Sequence, residues 1–271
     1  MNIGLLLIGI VALLVGGGCL WAFGNRRDKV FQMKLAETRK VSEIRAISSE
    51  VAGEIGAGSF NEVLEVKGVL KCAEPLKSAL KGEPCVHYEM EVVREYEERV
   101  ERVDQQTGRH VMETVRRSET LSSNSQSVEF TVDDGSGEIV IRPDGAEIDS
   151  VQILDQFQPG DAHRGSSAMI RFGDFSLSVG PVGSNRHTLG YRYRERILPL
   201  GRRVYVLGEA RDDDGMLAIR RPTSSEKRFI ISLKSEEELI RSNEESMNLL
   251  KYGGYGGLGA GLLLLILSFI T

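Results

Sequence analysis

The two ends of the sequence lack charge. From Met1 to Asn25 no side chain is charged at neutral pH, and none is after Lys251. The run Ile3 to Phe23, at about 1.5 Å per residue, is long enough to cross a hydrocarbon core of about 30 Å. It reads as a transmembrane helix over residues 1–25, and 251–271 reads as a second. Basic residues are also missing before the first run, where the chain begins Met1-Asn2-Ile3, so a cleaved signal peptide is not expected. Gly-Gly-Gly before Cys19 lacks the larger apolar residue of a lipoprotein box, so lipidation is not expected either. Cysteine is scarce (Cys 3), with Cys19 in the first span, which excludes a secreted disulfide framework. Cys72 and Cys85 read as reduced packing residues. Lys+Arg 34 against Asp+Glu 39 leaves no basic excess to argue for nucleic acid.

Between the spans the composition is that of a folded chain, with 41% hydrophobic and 27% charged residues. At roughly 150 residues per domain, one sizeable domain with appendages is the economical reading. The flanking cations set an orientation. Arg26, Arg27, Lys29, Lys34, Arg39 and Lys40 follow the first span, and Lys234, Arg241 and Lys251 precede the second. In a prokaryotic plasma membrane this predicts a cytoplasmic central domain. In a eukaryote the expected place is an organelle envelope.

Residues 28–52 contain neither Pro nor Gly and carry Val41, Ile44, Ile47 and Val51 on one stripe, which predicts a stalk helix continuing from the span. From 58 to 234 the pattern changes to a β-rich domain. Val86, Tyr88, Met90 and Val92 alternate with His87, Glu89 and Glu91, so one strand face is expected in a core and the other in solvent. A charged continuation, a turn at Thr107-Gly108 and a return over Arg109 to Leu121 predict a long hairpin, with Ser122 to Ser127 as a loop. Asp133-Asp-Gly-Ser-Gly137, Pro143-Asp-Gly145 and Asp212-Asp-Asp-Gly215 mark further turns. Residues 158–187 read as a long excursion with one or two strands. Ser235 and the acidic residues after it cap a helix over 235–250. The fold class is α+β, mainly antiparallel β, barrel or sandwich-like, held between two transmembrane helices.

Chemistry is harder to find. His87, His110, His163 and His187 have no ligand spacing, the Gly-rich run before 261 lacks the strand, Lys and hydroxyl of a phosphate loop, and no Ser or Cys stands in a nucleophile motif. Neither catalytic residues, nor a metal site, nor a cofactor are expected. Gly253, Gly257 and Gly261 recur every four residues, which predicts a packing groove on the second span. Its partner is the first span or the same helix of another copy, the latter making a homo-oligomer.

The order of segments resembles a known family. Gly68-Val-Leu70, Glu74-Pro-Leu-Lys-Ser78, Gly82-Glu-Pro-Cys-Val-His-Tyr88, Asp133-Asp-Gly-Ser-Gly137, Arg194-Glu-Arg-Ile-Leu-Pro-Leu-Gly201, Val204-Tyr-Val-Leu-Gly-Glu209 and Phe229-Ile-Ile-Ser232 are similar to the GIDE, or "beside a membrane", domain. That domain lies between two spans in MULAN-type ubiquitin ligases of organelle outer envelopes. The resemblance falls on Pro84, Cys85, Tyr88, Glu195, Gly201 and Gly208 among others. It implies RING-type ubiquitin transfer, yet two four-coordinate zinc sites need more ligands than Cys 3 and His 4 supply. The expectation is therefore a RING-less, non-catalytic scaffold that binds protein partners at the membrane surface. The alternatives are a component of a ligase-like enzyme system whose catalysis is supplied in trans, and a lipid-binding module.

Overall fold

The computed structural model describes residues 2–103, 109–160, 168–180, 183, 185–213 and 215–270. The Thr107-Gly108 turn, His163, Asp214 and Thr271 lie outside them. Helix α1 (Ile3–Leu35) is followed by α2 (Val41–Glu54). The strands come next, in chain order β1 (Asn61–Lys71), β2 (Leu76–Lys77), β3 (Pro84–Val103), β4 (His110–Ser127), β5 (Phe130–Asp133), β6 (Glu138–Ile141) and β7 (Glu147–Asp149). They continue as β8 (Val151–Pro159), β9 (Ala168–Phe172), β10 (Phe175–Val179), β11 (Arg186–Pro199), β12 (Arg203–Arg211), β13 (Ala218–Arg220) and β14 (Ile230–Ser232), before helix α3 (Glu236–Ile270).

The expected single helix over 28–52 requires correction. Helix α1 runs on to Leu35, the chain then extends, and α2 starts afresh at Val41. The reason is a competing partner for the backbone. Glu65 N–H donates to the Glu37 carbonyl (3.1 Å) and Arg39 N–H donates to the Glu65 carbonyl (3.0 Å), so the linker is satisfied by β1 instead of by a helical turn. Helix α3 has no such break. It is one continuous helix that starts from a capping box, in which Glu238 N–H donates to Ser235 Oγ and Ser235 N–H to Glu238 Oε2, each at 3.2 Å.

The strands form two bodies. β1 pairs antiparallel with both β12 and β5, β5 with β6, β6 runs parallel to β13, and β13 returns to β12. The ring is closed. Five strands joined in the order first, second, third, fifth, fourth and back to the first have the connectivity of an OB-fold barrel. Its interior holds Leu64, Val66, Leu70, Val132, Ile139, Ile141, Val206 and Ile219. β14 and β7 extend this sheet beyond β12. The second body fills two connections of the barrel. β2, β3 and β4 lie between its first and second strands, β8 to β11 between its third and fourth, and together β2, β3, β4, β11 and β8 make one sheet with its own core around Tyr88, Met90, Val92, Leu154 and Tyr193. β9 and β10 form a separate hairpin, within the segment expected to be an excursion.

Three differences from the sequence reading have local causes. Residues 122–127 belong to β4, because β3 offers them a partner edge from His87 to Val92. β8 goes unread because Ile153 is an extra residue: Leu154 opposes Glu195 and Gln152 opposes Arg196, so the alternation breaks at this bulge. His87 is not on a solvated face; it is 5% exposed, with Nδ1 2.8 Å from Ser127 Oγ, and burial pushes its imidazole below its ordinary value.

Helix α2 covers one end of the barrel, with Val41 and Ile44 in the barrel core. Two acidic turns hold it there. Asp134 Oδ2 accepts from Val41 N–H at 2.9 Å and Ser136 Oγ from Ser42 N–H at 3.1 Å, so the Asp133–Gly137 turn caps a helix remote in sequence. Asp212 accepts from Ser48 Oγ and from Phe60 N–H, each at 3.1 Å.

Helices α1 and α3 run antiparallel and touch through glycine. A Cβ on Gly257 would lie 3.1 Å from the Gly16 Cα, and one on Gly261 2.9 Å from the Gly9 carbonyl oxygen. Gly253 does not share that face: a Cβ there would meet no atom of α1 within 4 Å, and Gly254 instead meets Leu20 and Gly16. The outer faces are apolar and open, as at Leu14 and Leu263, and both helices are long and apolar enough to cross a membrane. Close backbone approach through small residues is how helices associate in lipid.

Two expected outcomes follow from these contacts. Val92 is fully buried, so Val92→Asp should cost about 3 kcal/mol or more through an uncompensated buried charge. Glu91→Lys, losing a hydrogen bond from Thr120 at 2.8 Å, should cost about 1 kcal/mol or less. Limited proteolysis of the detergent-solubilised chain separates them, and equal sensitivity would refute the core assignment. For Asp134, burial raises the carboxyl pKa, but the hydrogen bonds from Val41 and Ser136 outweigh it and the net shift is downward. A lowered native pKa stabilises above the unfolded carboxylate value of about 4 and loses that contribution as pH falls through the native one. Asp134→Ala should therefore lower stability by about 1 kcal/mol at neutral pH, and the deficit should shrink below about pH 4 in thermal unfolding scans.

Candidate functional site

The residues singled out by resemblance occupy structural positions. Pro84 opens β3 opposite Lys77, and Cys85 and Tyr88 follow on the same strand. Glu195 stands on the adjoining β11, wholly buried, and organises the turn that leads into β3. Its carboxylate accepts from Ser78 Oγ (2.9 Å), Leu80 N–H (2.7 Å) and Lys81 N–H (2.9 Å). Ser78 Oγ in turn accepts from Glu83 N–H at 3.1 Å. Three donors on one buried carboxylate replace the water it has lost. Burial, and then the Glu195 charge, push the Cys85 thiol up to about 11, so it rests as an unreactive thiol. Burial likewise raises the Tyr88 phenol, whose oxygen accepts from Asn124 Nδ2 at 3.1 Å.

Gly201 and Gly208 are not brought to this cluster. Gly201 (φ +70°) makes the turn from β11 to β12, where its N–H donates to the Leu70 carbonyl at 2.9 Å. Gly208 lies inside β12, where a Cβ would come within 2.7 Å of Ile219 and 2.9 Å of Phe229. Gly201 is dictated by its left-handed backbone, with open space where a Cβ would stand, and Gly208 by the close approach of Ile219 and Phe229. Cys72 is partly exposed and its thiol donates weakly to the Glu129 carbonyl at 3.6 Å. Among the described residues no His, Cys, Asp and Glu come together as a metal site.

The opening lies elsewhere, across β5 and β6. In barrels of this connectivity the second and third strands, with the loops after the first and fourth, carry the ligand face. Here those strands are β5 and β6, flanked by the segment after Lys71 and by the turn at Gly215. Two adjoining hollows meet at Glu138. One is bordered by Lys71, Cys72, Glu74, Glu129 and Thr131, and the other by Arg45, Ser48, Ser49, Ala52, Val140 and Met216. Helix α1 and α3 seat against the opposite side of the ring, where Met33 and Leu239 meet Tyr205 and Leu207 on the outside of β12. The groove therefore faces away from the helix pair.

Its charges are largely spent on one another. Lys71 Nζ lies 2.6 Å from Asp133 Oδ2 and 2.8 Å from Glu138 Oε1, and these bonds raise the ammonium pKa and, on the other side, lower that of Asp133. Arg142 Nε is 2.9 Å from Glu129. Two exposed charges remain on the rim, Glu74 and Arg45, whose guanidinium donates to the Glu138 carbonyl, and the rest is small or apolar: Ser49 and the half-buried Ala52 on α2, the half-buried Val140 on β6, and Met216, which is 48% exposed. A surface without a row of free cations or aromatic platforms suits neither phosphate tracking nor base stacking. It suits an extended polypeptide, whose main chain can approach small residues and whose side chain can cover Val140 and Met216. Sequence reasoning found the two acidic turns that frame this groove but not its walls, since small residues on α2 and β6 carry no signal until the barrel closes.

The comparisons agree with the architecture. Neither the curated proteins nor the solved structures include a significant match. The family model GIDE, described as E3 ubiquitin ligase, matches residues 97–265, more than half of the chain and reaching from the β3–β4 hairpin into the second long apolar helix. With a β-barrel held between two helices fit to span a membrane, this chain belongs to the GIDE family.

Proposed function

We propose that the chain is a non-catalytic, two-span membrane scaffold whose barrel groove holds an extended segment of a protein partner at the membrane surface. The observation that carries this reading is the groove across β5 and β6, facing away from the helix pair and lined mainly by paired charges and small or apolar side chains, with Arg45 and Glu74 exposed at its rim. A ligase-like system with catalysis in trans uses the same groove to hold its catalytic chain. The cations that follow α1's apolar run and precede that of α3 support a cytoplasmic domain in a prokaryotic plasma membrane.

A photo-crosslinking residue at Ser49, in cells, should trap a discrete protein, and Val140→Arg should abolish the product while leaving the amount of membrane-inserted chain unchanged. Crosslinking that survives Val140→Arg, or none at all, removes the groove from the mechanism. Identification of the trapped chain by mass spectrometry separates a scaffold client from a ubiquitin-transfer component. For orientation, Ser123→Cys on β4 should resist a membrane-impermeant maleimide in intact cells and react after permeabilisation; ready labelling of intact cells reverses the sidedness.

A further inference from the structure

Strand β4 is an edge of the second sheet. Among the described residues it pairs along one side only, with β3, from His110 opposite Val103 to Ser127 opposite His87. Its other side offers backbone donors and acceptors along a strand of 18 residues, against a usual strand length of about 3–10. Folded proteins blunt such edges with Lys, Pro or a bulge. From His110 to Thr120 there is neither Lys nor Pro, and the one break in register, at Leu121, comes after that run. The charges of the run are spent within the hairpin. Glu113 lies 3.1 Å from Arg102, Arg116 3.4 Å from Glu97 and Arg117 2.9 Å from Glu98. Val111 and Met112 stand open, at 45% and 67% exposure.

The same run is complementary to itself. Laid antiparallel on a second copy with the two-fold axis at Val115, residues 110–120 match along their whole length. Glu113 then stands opposite Arg117, and Arg117 opposite Glu113. Both lie on the face where they meet their partners on β3, so Arg102 and Glu113 of one copy continue into Arg117 and Glu98 of the other as a row of alternating sign across four strands. Val115 meets Val115, and Arg116 and Glu119 meet Thr114 and Val111. Other registers lose this match. Moving the axis to Arg116 sets Arg116 against itself and Glu113 against Glu119, and moving it to Thr114 leaves residues 110–118 without a Glu–Arg pair.

We propose that two copies of this chain join edge to edge through β4, antiparallel about Val115, into one continuous sheet. The groove over β5 and β6 stays free in this arrangement, because β4 borders neither of its hollows.

Oxidative cross-linking of the full chain in isolated membranes tests this. Cα atoms directly opposite in an antiparallel pair are about 4.5–5.5 Å apart, within disulfide reach. Val115→Cys should therefore give a covalent dimer of the chain above the background of the native cysteines. Ser125→Cys, exposed on the same strand but far from the axis, should not. In the Val115→Cys chain, Arg117→Glu should lower the dimer yield about tenfold by setting a carboxylate opposite Glu113 on both sides of the axis. Adding Glu113→Lys should restore the yield. Within one chain that exchange sets like charges beside Arg102 and Glu98, so the recovery can come only from the contact between copies. Absence of the Val115 product overturns the proposal, as does an equal yield from Ser125→Cys, a double exchange that restores nothing, or a Val115 product made with a different protein.

Discussion

Closure of β1 against β12 is the constraint on which the molecule depends. Their antiparallel register runs from Asn61 opposite Arg211 to Val69 opposite Arg203. Alternate residues point inward, as Leu64 and Val66 do with Val206, and make the barrel core. Residues of the other parity, Val63 with Tyr205 and Leu207, face Met33 and Leu239 and seat both long helices. A polar joint sits at that seam. Lys67 lies 3.0 Å from Glu65 Oε1 and 2.8 Å from Glu236 Oε2, Thr38 donates to Glu65, and the Lys67 ammonium stands 5.8 Å from the centre of the Tyr205 ring. Burial, with the Glu65 charge, keeps the Tyr205 phenol protonated. Without this pairing the helix exits and the barrel core would lose their common wall.

The second sheet joins the barrel through β11 and is held together by its own polar contacts. β11 passes through Gly201 directly into β12, so the two bodies share a continuous chain at the place where β1 ends. Glu195 holds the turn before β3, and paired charges lace the rest: Glu98 lies 2.8 Å from Arg186 and 2.9 Å from Arg117, and Arg192 lies 2.7 Å from Glu95 and 2.8 Å from Asp155. Exposed pairs of this kind contribute little each. Their larger effect is on register, since a slip of one residue would set like charges opposite one another.

The two sides of the barrel differ. One side carries the helix pair, seated through Met33 and Leu239 on Tyr205 and Leu207. The other presents the groove over β5 and β6, whose frame is made by the same acidic turns that cap α2. Cys85, the one fully buried thiol, is held protonated beside Glu195.

The spans were legible because lipid tolerates no charge, so charge-free runs declare themselves. The β3–β4 hairpin, the capping box at Ser235 and the turns at Asp133, Pro143 and Asp212 were legible too, because their signals are local: alternation, Ser before Glu, or Gly among Asp residues. By itself the sequence determined these elements and their order between two apolar helices. Only the tertiary structure decided that β1 closes on β12, that α1 breaks at Ala36 to let residues 37–39 bond β1, and that Gly254 instead of Gly253 faces α1. It also decided that Ser49, Ala52 and Val140 become the walls of a groove. Each of these depends on partners far apart along the chain, and a backbone donor or a small side chain carries no mark of which distant surface will satisfy it.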